Sequence, residues 1–303
     1  MTLEKGTLFD PKLVTDLISK VTGKSSLARL SAQKPIPFNG EKVFTFTMDS
    51  EIDIVAESGA KSHGGMTLTP QKMAPIKIEY GARISDEFMY ASEEEQIEIL
   101  ESFNDGFAKK VARGIDLMSF HGVNPRTGQP STVIGTNHFD AKVTQKVEMV
   151  TGLADPNGAV ESAIELVTGS EGEVNGMAIN PSFRSALAKQ QDKQGNPMFP
   201  DLAWGNAPST INGLSVDVNK TVSDMNASEN DRAIIGDFTE GFKWGYAKEI
   251  PMEIIEYGDP DNSGMDLKGH NQIYVRAEAF LGWGILAPER FARIVEKAAE
   301  GGE

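Results

Sequence analysis

Four histidines, His63, His121, His138 and His270, are the side chains best suited to hold a metal or move a proton near neutral pH. They share no helical or close spacing, and none stands beside a carboxylate in a metal-ligand pattern, so no metal site is expected. Asp259-Pro-Asp261-Asn-Ser263-Gly264 imitates the opening of a calcium-binding loop. Its twelfth position is His270, where a bidentate glutamate belongs, and the stretch reads as a turn. Gly23-Lys24-Ser25 has the ending of a phosphate-binding loop, but the earlier glycine that the motif requires falls at position 18, which is Ile18. No G-x-S-x-G, H-E-x-x-H or G-x-G-x-x-G is present. The absence of cysteine removes the thiol nucleophile, the thiolate zinc site and the disulfide framework together. Asn219-Lys-Thr221 and Asn226-Ala-Ser228 are glycosylation sequons only in a secreted chain. The chemistry-bearing residues therefore do not describe a conventional enzyme, and no cofactor is expected.

Charge narrows the partners. Against 29 basic side chains stand 44 acidic ones, a net charge of −15 over 303 residues. That disfavours groove binding to nucleic acid, which draws its affinity from Lys and Arg neutralising phosphates. It suits a solvated acidic exterior, including one that lies near nucleic acid without adhering to it. MTLEKGTLFDPK lacks the basic-then-apolar pattern of a signal peptide, and no run of 18 apolar residues exists, so synthesis and folding in a cytoplasm, away from membranes, are expected.

The elements that could position any site are organised around Ser92–His121. Ser92 with Glu95 three residues on is a capping box, and Glu93, Glu94 and Glu95 suit a helix N-terminus. Ile97, Leu100, Phe103, Phe107, Val111, Ile115 and Met118 then make one apolar stripe on a helix of roughly 40 Å. Asp10 and Pro11 open a shorter amphipathic helix that Gly23 closes. Residues 42–84 read as a long two-stranded excursion. Val43, Phe44 and Phe46 ascend, Ile52, Ile54 and Val55 continue, and Ala74, Ile76, Ile78, Tyr80, Ala82 and Ile84 alternate on the return. A hairpin of that length is marginal in water and needs a surface to lie on. Beyond the turn-rich stretch Gly122–Pro130, helices are expected over 155–167 and from Pro181 to about Gln191. Strands are expected over 177–179, 211–218, 232–237, 242–246, 252–257 and 270–285.

Taken in order, these pieces resemble a tailed-phage major capsid protein of the Hong Kong 97 type. The resemblance covers essentially the whole chain. Its landmarks are Val55-Ala56-Glu57 followed by Lys61, Gly122 with Gly128, Ile179-Asn180-Pro181, Ile211-Asn212-Gly213-Leu214 and Gly236-Asp237-Phe238. It implies an α+β fold with an N-terminal arm (1–40), an E-loop hairpin (41–84), a peripheral domain with the spine helix (85–154), an inserted axial domain (155–248) and a return to the peripheral domain (249–303). It implies a homo-oligomer of pentamers and hexamers forming an icosahedral virion shell around double-stranded DNA. A portal protein is a further partner, and a decoration protein is one the family allows. Only some 40 residues precede the E-loop, where the family often carries a scaffolding region of about a hundred, so a separate scaffolding protein is implied; Met1 argues against prior trimming.

The resemblance also places an E-loop segment, Glu57-Ser58-Gly59-Ala60-Lys61-Ser62, against a neighbouring subunit. It further implies an isopeptide bond between Lys61 and Asn271, helped by Glu278 acting as the proton acceptor. Asn271 and Glu278 are expected in one strand, about 23 Å apart and on opposite faces, so the three groups would have to meet from different subunits. Two other readings compete: an encapsulin-like cargo compartment of the same fold, and a soluble hydrolase or lyase whose site the sequence does not display.

Overall fold

The computed structural model describes residues 25–48, 50–149, 154–223, 229–248 and 252–297. The short helix expected over 10–23 lies outside them. In chain order the elements are α1 (Ser26–Leu30), β1 (Glu41–Met48), β2 (Met66–Met73), β3 (Ile76–Ser85), α2 (Glu93–His121), α3 (Phe139–Lys142), β4 (Lys146–Met149), α4 (Pro156–Gly169), β5 (Gly176–Ile179), α5 (Pro181–Ala188), β6 (Thr210–Ile211), β7 (Leu214–Val218), β8 (Glu229–Gly236), β9 (Phe242–Lys248), β10 (Met252–Ile255), β11 (Gln272–Ile285) and β12 (Phe291–Lys297). None of the described helices is long and apolar enough to cross a membrane.

The long helix begins and ends where its termini dictate. Ser92 Oγ accepts from the Glu95 N–H at 3.3 Å while Glu95 Oε2 accepts from the Ser92 N–H at 3.4 Å, which satisfies two donors a bare helix end would leave open. At the other end Gly122 takes φ 68°, a left-handed cap whose N–H reaches the Met118 carbonyl. In the stripe between them Leu100, Phe107, Val111, Ile115 and Met118 are buried and Phe103 is partly buried, whereas the first member, Ile97, is 49% exposed. Phe107, Val111, Ile115 and Met118 share a core with Ala277, Ala279, Leu281 and Trp283 of β11, and Leu100 joins Ile273 and Val275.

Two sheets flank this helix. In the first, β11 is central: β3 pairs antiparallel along one edge from Ser85↔Gln272 to Ile76↔Leu281, and β10 and β9 share the other. Residues 33–36 then extend that sheet. Gln33 bridges Trp244, and the Lys34 and Ile36 N–H groups donate to the Trp244 and Tyr246 carbonyls. Gly245 permits this approach, since a Cβ there would meet the Lys34 carbonyl at 1.6 Å.

The second sheet has the order β4-β12-β8-β5-β7-β6. Its strands alternate as a two-faced sheet must. Ala178, Ile234 and Phe291 face the core of α2, whereas Met177, Ile179, Ala233, Ile235, Ala292 and Ile294 face α4 and α5. Asp155 and Asn180 cap those two helices, each followed by a proline in the first turn, as the sequence implies. This sheet draws β4 and β12 from outside residues 155–248, so the segments on either side of that stretch meet inside it.

Three expectations about the strands are corrected. The partner of β1 is β2, not the alternating return strand: Glu41↔Met73 through Met48↔Met66 form a separate two-stranded ribbon, and the alternating residues form β3, which pairs with β11. Residues 51–65 form no strand, although Ile52 to Val55 carry strand-forming side chains. The run 211–218 is a hairpin, because Asn212 (φ 48°) and Gly213 (φ 89°) make the left-handed pair that a tight two-residue turn requires.

Candidate functional site

The candidate site is an exposed surface made of the β1–β2 ribbon and the segment beyond it. The ribbon's register puts Phe44, Met48, Met66, Leu68 and Pro70 on one face. Phe44 is 49% exposed, Met48 77%, Met66 63% and Leu68 45%. The foot of the ribbon is fixed on the other face: Met73 is buried, and Lys142 Nζ donates to Gln71 Oε1 at 3.0 Å. Beyond the ribbon Ile52 and Ile54 stand almost wholly exposed, and Glu57 to Ser62 are exposed throughout. The tip keeps its shape by a turn, with the Gly59 N–H donating to the Ala56 carbonyl and Ser58 at φ 67°.

The three residues of the implied cross-link are not brought together within the chain; among the described residues no hydrogen bond or ion pair links them. Lys61 lies in the exposed tip. Asn271 is not in a strand, as expected, but at the left-handed turn just before β11 (φ 52°), where its carbonyl accepts from the Asp86 N–H. Its exposed side chain is thereby aimed by a turn and not by the sheet's alternation. Glu278 lies in β11, 2.7 Å from Lys77 Nζ and 3.5 Å from Arg276 Nε.

The charged groups that sequence reasoning missed are buried around α2. Asp116 is fully buried, with no ion-pair partner among the described residues. It accepts from the Ser25 hydroxyl, the Ser26 and Leu27 N–H groups, Asn219 Nδ2 and the Thr221 hydroxyl. One carboxylate thus holds the start of α1 and the turn after β7 against the long helix. Burial pushes its pKa up to about 6, against the downward pull of those hydrogen bonds. The one local signal was an aspartate set between Ile115 and Met118 of the apolar stripe.

At the end of α2, His121 Nδ1 lies 2.8 Å from Asp140 Oδ2 and Nε2 lies 2.9 Å from the Thr221 carbonyl. Carboxylate and carbonyl oxygens accept, so the protonated imidazole, with both ring nitrogens donating, satisfies both contacts. Burial opposes that charge, but Asp140 lifts His121 above its ordinary value. Arg293 completes the cluster, with contacts to both Asp231 oxygens and Nη2 2.8 Å from Asp140 Oδ1. Burial works against the Asp140 carboxylate too, yet His121 and Arg293 hold it below the usual range; burial pushes Asp231 up against the attraction of Arg293. His121, Asp140 and Asp231 are close enough to ligate an ion. A histidine with both nitrogens donating has no lone pair to give, and the Arg293 guanidinium stands where the ion's charge would. The cluster is structural. Sequence could not display it, because its members lie up to 172 positions apart, from His121 to Arg293.

The calcium-like stretch has a similar answer. Asp259 accepts from the Ser263 and Gly264 N–H groups, and Arg83 from β3 reaches Asp259 at 2.7 Å, Asp261 at 2.5 Å, Ser263 Oγ, the Met265 carbonyl and Gln272. Arg83 holds Asp261 well below the ordinary carboxylate value. The stretch is a turn, as read from sequence, closed on an internal guanidinium.

A bare apolar ribbon on a subunit whose buried charges are internally partnered is an anatomy suited to assembly, and comparison with known proteins names the kind. Residues 5–295 match the model of the phage capsid family. A solved chain from Mycobacterium phage Ogopogo is 33% identical, with a TM-score of 0.78 over 90% of this chain and 92% of that one. One from Gordonia phage Cozz is 25% identical at a TM-score of 0.73, covering 92% and 87%. A chain described as the capsid of a native GTA particle computed with C5 symmetry shares the fold at 16% identity, with a TM-score of 0.65 and 90% of each chain covered. No curated protein matches the chain. The chain belongs to the phage capsid family, as a major capsid protein related to the Hong Kong 97 fold. It is a structural subunit of a viral capsid that assembles with copies of itself.

Proposed function

We propose that this chain forms the icosahedral head of a tailed phage, assembling as pentamers and hexamers around packaged double-stranded DNA. The observation that carries this reading is the exposed apolar face of β1–β2, with Phe44, Met48, Met66 and Leu68 uncovered on a ribbon whose foot is fixed at Gln71 and Met73. Each such side chain gains about 1.5–3 kcal/mol when fully buried, so a neighbouring copy supplies the surface that the isolated subunit lacks. On this reading residues 41–84 are the E-loop, with 57–62 lying against the next subunit. The long helix is the spine, 155–248 is the axial domain, and 85–154 with 249–303 form the peripheral domain. Shells grow in the host cytoplasm on a separate scaffolding protein around a portal, with decoration protein added outside. Electron micrographs of the expressed protein, with and without its scaffold, test this. Closed shells are expected; monomers or dimers from an undisrupted preparation would overturn it.

The same reading includes a bond between Lys61 of one subunit and Asn271 of another. The Lys61 amine attacks the Asn271 amide carbon, Glu278 takes the amine's proton and returns it to the departing ammonia. To do so Glu278 must open its ion pair with Lys77 as the neighbour's lysine arrives. Mature heads run on a denaturing gel should give a ladder of covalent multimers. A single band near 32.8 kDa would exclude the bond.

A further inference from the structure

Trp204 differs from the other two tryptophans. Trp244 and Trp283 are 0% and 1% exposed, while Trp204 is 105% exposed. Its backbone sits at φ 57°, ψ 25°, a left-handed conformation that bulky L-residues rarely adopt and that persists only where the surroundings enforce it. The enforcement is visible. Leu202 is buried beneath the loop, Arg184 Nη1 donates to the Leu202 and Asn206 carbonyls at 3.0 and 3.3 Å, and Asn206 Nδ2 donates to the Asp201 carbonyl at 2.8 Å. The loop's carbonyls are thus tied inward while the indole is turned out. Met198, 46% exposed, belongs to the same loop.

Position in the sheet says what covers it. In the lobe formed by the six-stranded sheet with α4 and α5, the loop leads directly into β6, the free margin of the sheet, whereas β4 at the opposite margin lies against α4. A two-residue strand offers few backbone groups for pairing with another sheet edge, so contact at this margin has to be made by side chains. We infer that Trp204 is an assembly anchor, its indole inserting into the corresponding lobe of the next copy around a shared symmetry axis. This rests on the capsid reading above. A second copy fits better than a foreign partner, because a closed ring of identical subunits covers every such indole with no end left over. An aromatic side chain already held in one place also loses little freedom on docking.

Fluorescence tests this directly, since Trp204 is the one tryptophan open to a soluble quencher in the free subunit. Acrylamide should quench it in subunits dissociated from particles and lose access to it in intact particles. Trp204→Phe should remove the quenchable component without changing the near-ultraviolet signal of the buried pair. Trp204→Ala should raise the subunit concentration needed for assembly by about tenfold, the factor that accompanies about 1.4 kcal/mol. Equal quenching in particles and free subunits would overturn the inference and leave the capsid reading standing. Protection that appears only after another head protein is added would also overturn it. Failure of the unsubstituted chain to form shells would overturn both.

Discussion

The ribbon β1–β2 and the helix α2 both extend beyond a single sheet, yet they satisfy their side chains by different means. The helix gathers partners from its own chain: α1, β11, the turn after β7 and β12 all meet it, and its buried Asp116 and His121 are multiply hydrogen-bonded or ion-paired. The ribbon is hydrogen-bonded along its backbone but keeps an apolar face bare. One region is finished by folding, and the other, on the proposed reading, by a neighbour. A subunit built this way can be soluble and folded before it assembles, with the energy of assembly held in side chains that folding never used.

The largest expected effect separates these two jobs. Phe44→Asp combined with Leu68→Asp should leave the melting of the isolated subunit within about 0.5 kcal/mol, as surface changes do. It should abolish shells by removing roughly 3–6 kcal/mol of burial from each subunit contact. Sedimentation and calorimetry read the two halves, and normal shells from the double variant would erase the distinction. Arg293→Leu should act in the opposite sense, destabilising the subunit by about 3–5 kcal/mol because Asp231 is left buried and unpaired. Urea denaturation of the unassembled subunit measures it.

Asp116→Asn comes third. Burial places the Asp116 carboxyl at about 6 in the folded subunit, above its ordinary 3.8, so between those values the native state keeps a proton that the unfolded chain has lost. Stability from this site is full below about pH 4 and is lost as pH rises through about 6, a change of about 3 kcal/mol at about 1.4 kcal/mol per unit. The asparagine should flatten that part of the profile when denaturation midpoints are followed from acid to neutral pH. His121, raised above 6.5, adds a loss in the same direction at higher pH that the substitution leaves in place. The smallest effect belongs to Ser92→Ala, which removes the helix cap and should cost the subunit about 1 kcal/mol by the same denaturation measurement, without changing shell geometry.

Local signals carried a large part of the fold. Ser92 with Glu95, Asp155 with Pro156 and Asn180 with Pro181 each mark a helix start by a bond made within three residues, and each start is where the sequence puts it. The apolar period of α2 likewise marks the face that packs, and Leu100, Phe107, Val111, Ile115 and Met118 are buried on it. Partner choice was not legible. Strict alternation in 74–84 announces a half-buried strand but not its neighbour, and β3 went to β11 because both have a face to cover. The polar clusters were hidden for the same reason: Asp116 meets Ser25 and Thr221 at separations of 91 and 105 residues, which no spacing rule reaches. The exposed segment 57–62 could be named from sequence because small and polar residues there have nothing to bury.

Arg83 gives the shell a property of a different kind. A divalent ion in the 259–266 turn would stabilise it only as long as free ion was abundant, by an amount that grows with the logarithm of concentration. A guanidinium attached to β3 is present at unit stoichiometry at any dilution and cannot be stripped by a chelator. The turn that precedes Asn271 therefore keeps the same shape in salt-poor water as in the cell, so a particle released into the environment does not depend on its surroundings to hold this part of its wall together.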